Sequence, residues 1–369
     1  MPSLGTSTQV VIIGAGQAGL STAYHLSRQG LVAGRDLIIL DRGPDAGGAW
    51  QHRWNALRVG DAHRIHDLPG MSETGLSFAT APMDLPARDV VRDYYAAYED
   101  HYALDVRRPA TVTAVHRDGD GDEITDGFSV GVTVPTGAVS YRTRVVVNAS
   151  GTWARPRVPQ VAGADIFAGV QLSTPQYVSA SEFAGKRVAV VGAGTSALGF
   201  LDELTTAGAD TTWFTRRPPK FVSMDEGLDR NLGVAAVQRQ DNAAQAGRRL
   251  PSIVGSTGLP WNSRARRLEP SGALTRHPMF ARLVTDGAVA SDGTHIALDA
   301  VIWATGFDAE LDHLGSLALD ATEGGITVKD GESADALGLF LAGYGPQAST
   351  IGANRAGRAM ARLIMKKLG

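Results

Sequence analysis

Gly14, Gly16 and Gly19 follow the β-branched run Gln9–Ile13 in the spacing G-x-G-x-x-G, and Leu20–Arg28 continues with apolar residues at helical intervals. In such a strand–turn–helix the first glycine makes the tight turn and the second lets the backbone approach a diphosphate. The third lets helix and strand pack closely. The helix N-terminus, with Gln17 and Ala18 in its first turn, offers unpaired N–H groups and about half a positive charge to phosphates. A second apolar run, Leu37–Leu40, ends on Asp41, a carboxylate placed to accept from ribose hydroxyls, with Arg42 next. The pattern recurs where Arg187–Val191 leads into Gly192, Gly194, Thr195 and Ser196, with Ala197 at the third position. This second unit closes on Thr215, Arg216 and Arg217 and has no acid there. Two guanidinium groups suit a 2′-phosphate that an acid would repel, so the second nucleotide is expected to be NADPH rather than NADH.

A third group follows the first turn. Trp50 and Trp54 follow Gly47 and Gly48, and Arg58, Asp61, His63 and His66 form an ionisable cluster. An arginine–carboxylate pair can set the charge beside a redox group. A structural salt bridge with two incidental histidines accounts for the same residues. Trp153, Trp261 and Trp303 read as core, because a buried tryptophan is chiefly apolar area.

The elements that must hold these residues are two βαβ units, each with a right-handed crossover. Between them Thr111–Val115, Phe128–Val134 and Arg144–Asn148 alternate as antiparallel strands, broken by the acidic turn Asp118–Asp122, and Arg155–Pro159 reads as a linker. Asp225–Arg249 is plausible helix, and Leu250–Pro278, rich in Pro, Gly and Arg, is the candidate mobile lid. Ala300–Ala304 and Leu339–Ala342 are further strands, and a helix from about Gly352 to Lys366 closes the chain. The expected fold is α/β with two Rossmann-like dinucleotide-binding domains. Residues 1–157 and 299–369 would form the first, and residues 158–298 an inserted second.

Composition narrows the chemistry. The 369 residues are 43% hydrophobic and 20% charged with a net charge of −3, which argues against nucleic acid or an anionic membrane as the main partner. No apolar run approaches the roughly 18 residues of a bilayer span, and Met1–Gln9 lacks the pattern of a signal peptide, so a cytoplasmic location is expected. There is no cysteine. That excludes disulfides, iron–sulfur clusters, cysteine nucleophiles and a redox dithiol; no metal site is expected. With two dinucleotide sites and no dithiol, one site would hold a flavin and the other supply hydride. Electrons would leave through oxygen, a protein acceptor or a small molecule.

Three further motifs complete a resemblance: Gly47-Gly48-Ala49-Trp50 soon after Asp41, Ala149-Ser150-Gly151 closing one sheet, and Ala304-Thr305-Gly306-Phe307 closing another. With the two glycine turns they resemble the class B flavoprotein monooxygenases. This class comprises the flavin-containing and Baeyer–Villiger monooxygenases, here of the short bacterial type. The resemblance implies FAD against Gly14, Gly16, Gln17, Ala18, Gly19, Asp41, Arg42, Gly48, Ala49, Trp50, Trp54, Arg58, Ser150 and Gly151. It also implies that Thr305, Gly306 and the segment Gly343–Ile351, including Tyr344, Thr350 and Ile351, lie along FAD, that segment past the flavin ring. Gly192, Gly194, Thr195, Ser196, Arg216 and Arg217 would hold NADPH.

Two departures matter. Phe167–Tyr177 fits the family's linker motif between domains, but Ser173 stands at its histidine, a shorter donor that does not charge near pH 7. In the Baeyer–Villiger pattern after Trp50, Asp61 has the right spacing while Asn55, Ala56 and Leu57 depart from it. Arg58, Asp61, His66 and Ser173 are therefore the candidate catalytic set. The implied activity is NADPH-dependent oxygenation of a small molecule by O2 through a flavin C4a-(hydro)peroxide. Sulfur or nitrogen is the favoured target, with ketones next. The alternative is an NAD(P)H–flavin reductase or oxidase passing electrons to O2 or a protein acceptor; a third reading is a catalytically idle NADPH sensor. The assembly is open between monomer and homodimer.

Overall fold

The computed structural model describes residues 6–62, 65–118, 127–223, 230–251, 258–344 and 350–369. The chain opens with β1 (Thr6–Ile13), α1 (Gln17–Ser27) and β2 (Leu37–Leu40), followed by α2 (Ala87–His101), β3 (Val106–Arg107), β4 (Thr111–Asp118), β5 (Gly127–Val134) and β6 (Gly137–Asn148). Next come β7 (Val170–Ser173), β8 (Arg187–Val191), α3 (Thr195–Thr206), β9 (Asp210–Thr215), β10 (Phe221–Ser223), α4 (Arg230–Gln245), β11 (Leu259–Trp261), α5 (Ser263–Leu268) and β12 (Arg276–Pro278). A small antiparallel sheet of β13 (Arg282–Val284), β14 (Gly287–Val289) and β15 (His295–Ala297) precedes β16 (Ala300–Trp303). β17 (Val328–Lys329), β18 (Glu332–Ser333), β19 (Leu339–Leu341) and α6 (Thr350–Leu368) end the chain.

The first large sheet runs β17-β18-β19-β6-β1-β2-β3, with β5 and β4 hanging from β6. β1 pairs parallel to β2 and to β6, and its residues Val10–Ile12 are fully buried, as expected of a parallel strand covered on both faces. α6 crosses α1 where Gly357 lies too close to Ser21 to leave room for a side chain. The second sheet, β12-β9-β8-β16-β7, is parallel throughout. One hydrophobic core runs through both, linked where Trp54 from the first packs on Phe200 of α3 at 4.9 Å between ring centroids.

Two expectations need correction. β6 was expected to end antiparallel, but it does two jobs. Gly137–Thr143 pairs antiparallel with β5 on one edge, and Tyr141–Asn148 pairs parallel with β1 on the other. The boundary expected at residue 299 falls too early: β16 lies in the middle of the second sheet, between β8 and β7. The chain returns to the first sheet only after Ala304, whose N–H still donates to Val191 O at 2.8 Å. The outgoing and returning crossovers then pair antiparallel at Pro156 and Phe307, and the Arg157–Asp308 ion pair joins them. No helix among the described residues is long and apolar enough to cross a membrane.

Candidate active site

The two glycine turns are built alike. Gly14 has φ +103°, and a methyl group on it would overlap the carbonyl of Ala149 just past β6. Gly192 has φ +144°, and a methyl there would overlap Ala304 just past β16. Gly19 is pressed against the carbonyl of Gly14, the close packing that its position in the motif implies. Gly16 and Gly194 differ in kind. Each sits at a helix N-cap with extended backbone and no side-chain acceptor over the first turn. Their missing methyls face free space: Gly16 meets only the Cα of Gly48, 3.9 Å from the ideal Cβ position, and Gly194 nothing within 4 Å. The helix N–H groups therefore open onto two cradles shaped for phosphate.

The first cradle belongs to a cleft of about 640 Å³. Gly14, Gly16, Gln17, Ala18, Asp41, Arg42, Gly48, Ala49, Trp50, Ser150, Gly151 and Gly343 all line it. Gly48, at φ +53°, approaches Gly16 so closely that its own methyl would stand 2.6 Å from the Gly16 Cα. Asp41 does more than await a sugar. Its carboxylate accepts from Ala15 N and Gly43 N, both at 2.7 Å, and so holds the glycine turn in shape. Arg42 pairs with Glu310 at 3.7 Å, and Ser150 Oγ donates to the Glu310 carbonyl at 2.7 Å.

His313 also lines the cleft, bound to Asn148 Oδ1 at 2.9 Å. Burial, aided by the nearby charge of Arg42, holds its imidazole down to about 4. Its folded value lies below the unfolded one near 6.5, so the folded state resists the proton that the unfolded chain accepts. Stability is expected to be full above about pH 6.5 and to fall by about 3 kcal/mol as pH drops toward 4. Urea unfolding across that window should show the loss, and His313→Gln should flatten it.

At the second turn, Thr195 and Ser196 begin α3 and are partly exposed. Arg216 and Arg217 are exposed beyond the end of β9. The Thr215 hydroxyl is already engaged: it donates to Arg217 O at 2.8 Å and accepts from Arg276 Nε at 2.8 Å. Arg276, brought in by β12, is a third guanidinium at this strand end that the sequence reading missed. Only the parallel pairing of two strands more than sixty residues apart brings it there.

Several sequence-predicted residues are placed elsewhere. Arg58 is exposed and does not pair with Asp61. Asp61 instead faces Arg264 at 3.7 Å and Arg267 at 3.9 Å; both arginines also bind Asp202 of α3. The cluster ties the turn at Val59–Asp61 to α5 and α3. His63 lies outside the described residues, and the carbonyl of His66 accepts from Gln17 Nε2 at 3.2 Å. Ser173 is buried, and its hydroxyl donates to Gln176 Oε1 at 2.6 Å while its N–H donates to the same atom, a capping box over residues 174–176. Trp54 commits its indole N–H to Glu203 Oε1 of α3 at 2.6 Å, a carboxyl that burial pushes up. Tyr344 is a core residue whose hydroxyl accepts from Ile326 N, and Thr305 donates to the Arg157 carbonyl across the paired crossovers with Gly306 beside it. The side chains of Thr350 and Ile351 lie outside the described residues. Trp153, read as core, lines the cleft.

Sequence reasoning also passed over Arg53. Its guanidinium lies 4.2 Å from the ring centroid of Trp153 and 5.5 Å from that of Trp50, at the wall of the same cleft. A single arginine three residues after a tryptophan carries no signal by spacing that would have singled it out.

Residues 11–235 match the pyridine nucleotide-disulphide oxidoreductase family. A flavin-containing monooxygenase from Stenotrophomonas maltophilia is 31% identical, with a TM-score of 0.79 over 99% of this chain and 100% of that one. The chain thus belongs to the flavin-containing monooxygenases within that wider family, though with no cysteine it lacks the disulphide chemistry of the family's description. The rice (Oryza sativa subsp. japonica) indole-3-pyruvate monooxygenase YUCCA1 is 32% identical over 56% of this chain, and the match spans 47% of the rice protein. Cyclohexanone monooxygenase from Rhodococcus sp. Phi1 bound to NADP+ shares the fold at 17% identity, with a TM-score of 0.65 over 99% of this chain and 84% of that one.

Proposed function

We propose that this chain uses NADPH and FAD to oxygenate a small organic substrate with O2 at sulfur or nitrogen. What supports the reading most is the pair of matched cradles, one in a cleft of dinucleotide size and one at the head of the second sheet, in a chain without cysteine. The first cleft fits FAD: Gly14 and Gly48 there have no space for a side chain, the helix end is uncapped, and Asp41 would meet the ribose. Bound FAD would supply hydride acceptance and oxygen activation. The protein's part is to orient and to exclude water. Gly16 and the α1 N-terminus would seat the FAD diphosphate, and Trp50 would wall the cleft. Gly194 with the α3 N-terminus would seat the NADPH diphosphate, while Arg216 and Arg217 meet the 2′-phosphate.

Ketone oxygenation loses the arginine–aspartate pair that motivated it, since Asp61 is held by Arg264 and Arg267. The reductase or oxidase reading keeps one specific observation: Ser173, at the family's histidine, is locked in its capping box and has no hydroxyl hydrogen left for NADP+. Product analysis separates the two. With a thioether, a tertiary amine and a cyclic ketone offered in turn, NADPH consumed, H2O2 released and oxygenated product are measured together. Sulfoxide or N-oxide formed in near-equal amount to NADPH is the expected result. H2O2 equal to NADPH whatever is offered overturns it in favour of the oxidase.

A further inference from the structure

Arg53 is a cation with no counter-ion among the described residues. The side chain is half-buried; its Nε is shut off from solvent and lacks a hydrogen-bond partner, and no carboxylate of the described residues lies within ion-pair distance. Burial alone pulls the group down to about 10, so it stays charged at neutral pH. Two indole faces, Trp50 and Trp153, are its described neighbours, and Trp153 is itself stacked on Phe307 of the returning crossover. Indole faces attract a cation, but they do not neutralise it. A half-buried charge whose Nε is cut off from water is costly to hold without a ligand to meet it.

The other charges along the cleft are already used. Asp41 binds two backbone amides, Arg42 faces Glu310, and Asp312 pairs with Arg155. Arg53 shares the cleft wall with Gly16, whose helix end offers only partial charge to a group carrying about two negative charges. We propose that Arg53 is the fixed counter-charge for the dinucleotide's diphosphate, with the Trp153 ring against it and Trp50 beside it holding its planar fork ready for two phosphate oxygens. This rests on the reading that the cleft takes FAD.

The assignment makes a demand that a merely structural arginine would not: the charge should cost the flavin-free protein stability and favour the loaded one. The flavin-free full-length chain is titrated with FAD, ADP and riboflavin, and melted with and without FAD, as wild type, Arg53→Met and Arg53→Lys. Arg53→Met should weaken FAD and ADP alike by roughly 10- to 100-fold and leave riboflavin unchanged. It should melt no lower than wild type without flavin and lower with it. Arg53→Lys, which keeps the charge, should retain ADP affinity within a few-fold, and also serves if the methionine variant does not fold. Unchanged FAD and ADP affinity in Arg53→Met overturns the proposal. So does a loss confined to FAD and riboflavin, which would place the charge at the flavin ring, and so does equal loss by Arg53→Lys, which would make the stack rather than the charge responsible. If wild type binds neither FAD nor ADP, the FAD reading itself fails.

Discussion

Gly16→Ala should yield a folded protein that has lost its flavin, while Gly14→Ala should yield almost no folded protein. The two glycines stand two residues apart in one turn and fail for different reasons. Gly14 holds φ +103°, where a side chain is strained, and its methyl would have to displace the Ala149 carbonyl. Strain of about 1–3 kcal/mol adds to a backbone overlap that cannot relax without moving β6 off β1, so a total above about 4 kcal/mol is expected. Marginal stability does not absorb that. Gly16 has φ −80°, ordinary for any residue, and nothing nearer than 3.9 Å to a new methyl. The fold should shift by less than about 1 kcal/mol, since alanine is only a somewhat poorer N-cap than glycine. The methyl fills the space a diphosphate needs, so FAD affinity should fall at least 10-fold. Flavin content on purification and a melting curve without flavin check both halves. A yellow Gly16→Ala protein with unchanged affinity would show that the diphosphate does not pass over Gly16.

That contrast was half legible in the sequence. Spacing alone assigned Gly14 to the turn, Gly16 to approach and Gly19 to packing, because these are backbone requirements and glycine is their signature. The strand and helix order was legible because β2 is wholly apolar and β1 and β8 end in the apolar runs Val10–Ile13 and Val188–Val191, each followed by a turn signal. The place of β16 was not. An apolar run says that a strand is buried and cannot say in which of two similar sheets, so the boundary at 299 followed chain order instead of pairing.

Side-chain partners were the least legible layer. Asp61 and Arg58 look paired at a spacing of three, yet Asp61 sits at the surface where α5 arrives, and Arg264 reaches it from far along the chain. Ser173 looks like a weakened histidine position, but the local Gln176 takes its hydroxyl. Trp54 looks like a flavin-side aromatic, but its neighbour Arg53 faces the cleft while the indole crosses to Glu203. In each case the deciding partner is set by tertiary approach or by a short-range cap, and neither leaves a periodic trace.

The proposed preference for NADPH gives the second large effect. Replacing both Arg216 and Arg217 by alanine should lower kcat/KM for NADPH about 100-fold and leave the value for NADH within about 3-fold. Each charge-assisted contact to a phosphate contributes about 1.5–3 kcal/mol when shielded, and less at exposed positions such as these, which sets the total near two decades. Solvent exposure also makes the contact sensitive to salt, so wild-type preference should fade as ionic strength rises toward 1 M. Arg276 should act differently. It binds Thr215, whose hydroxyl holds the carbonyl of Arg217, so Arg276→Met should loosen the strand end that carries the pair. A smaller loss for NADPH is expected, through KM with kcat kept. If the double alanine variant instead loses NADPH and NADH equally, the pair does not read the 2′-phosphate.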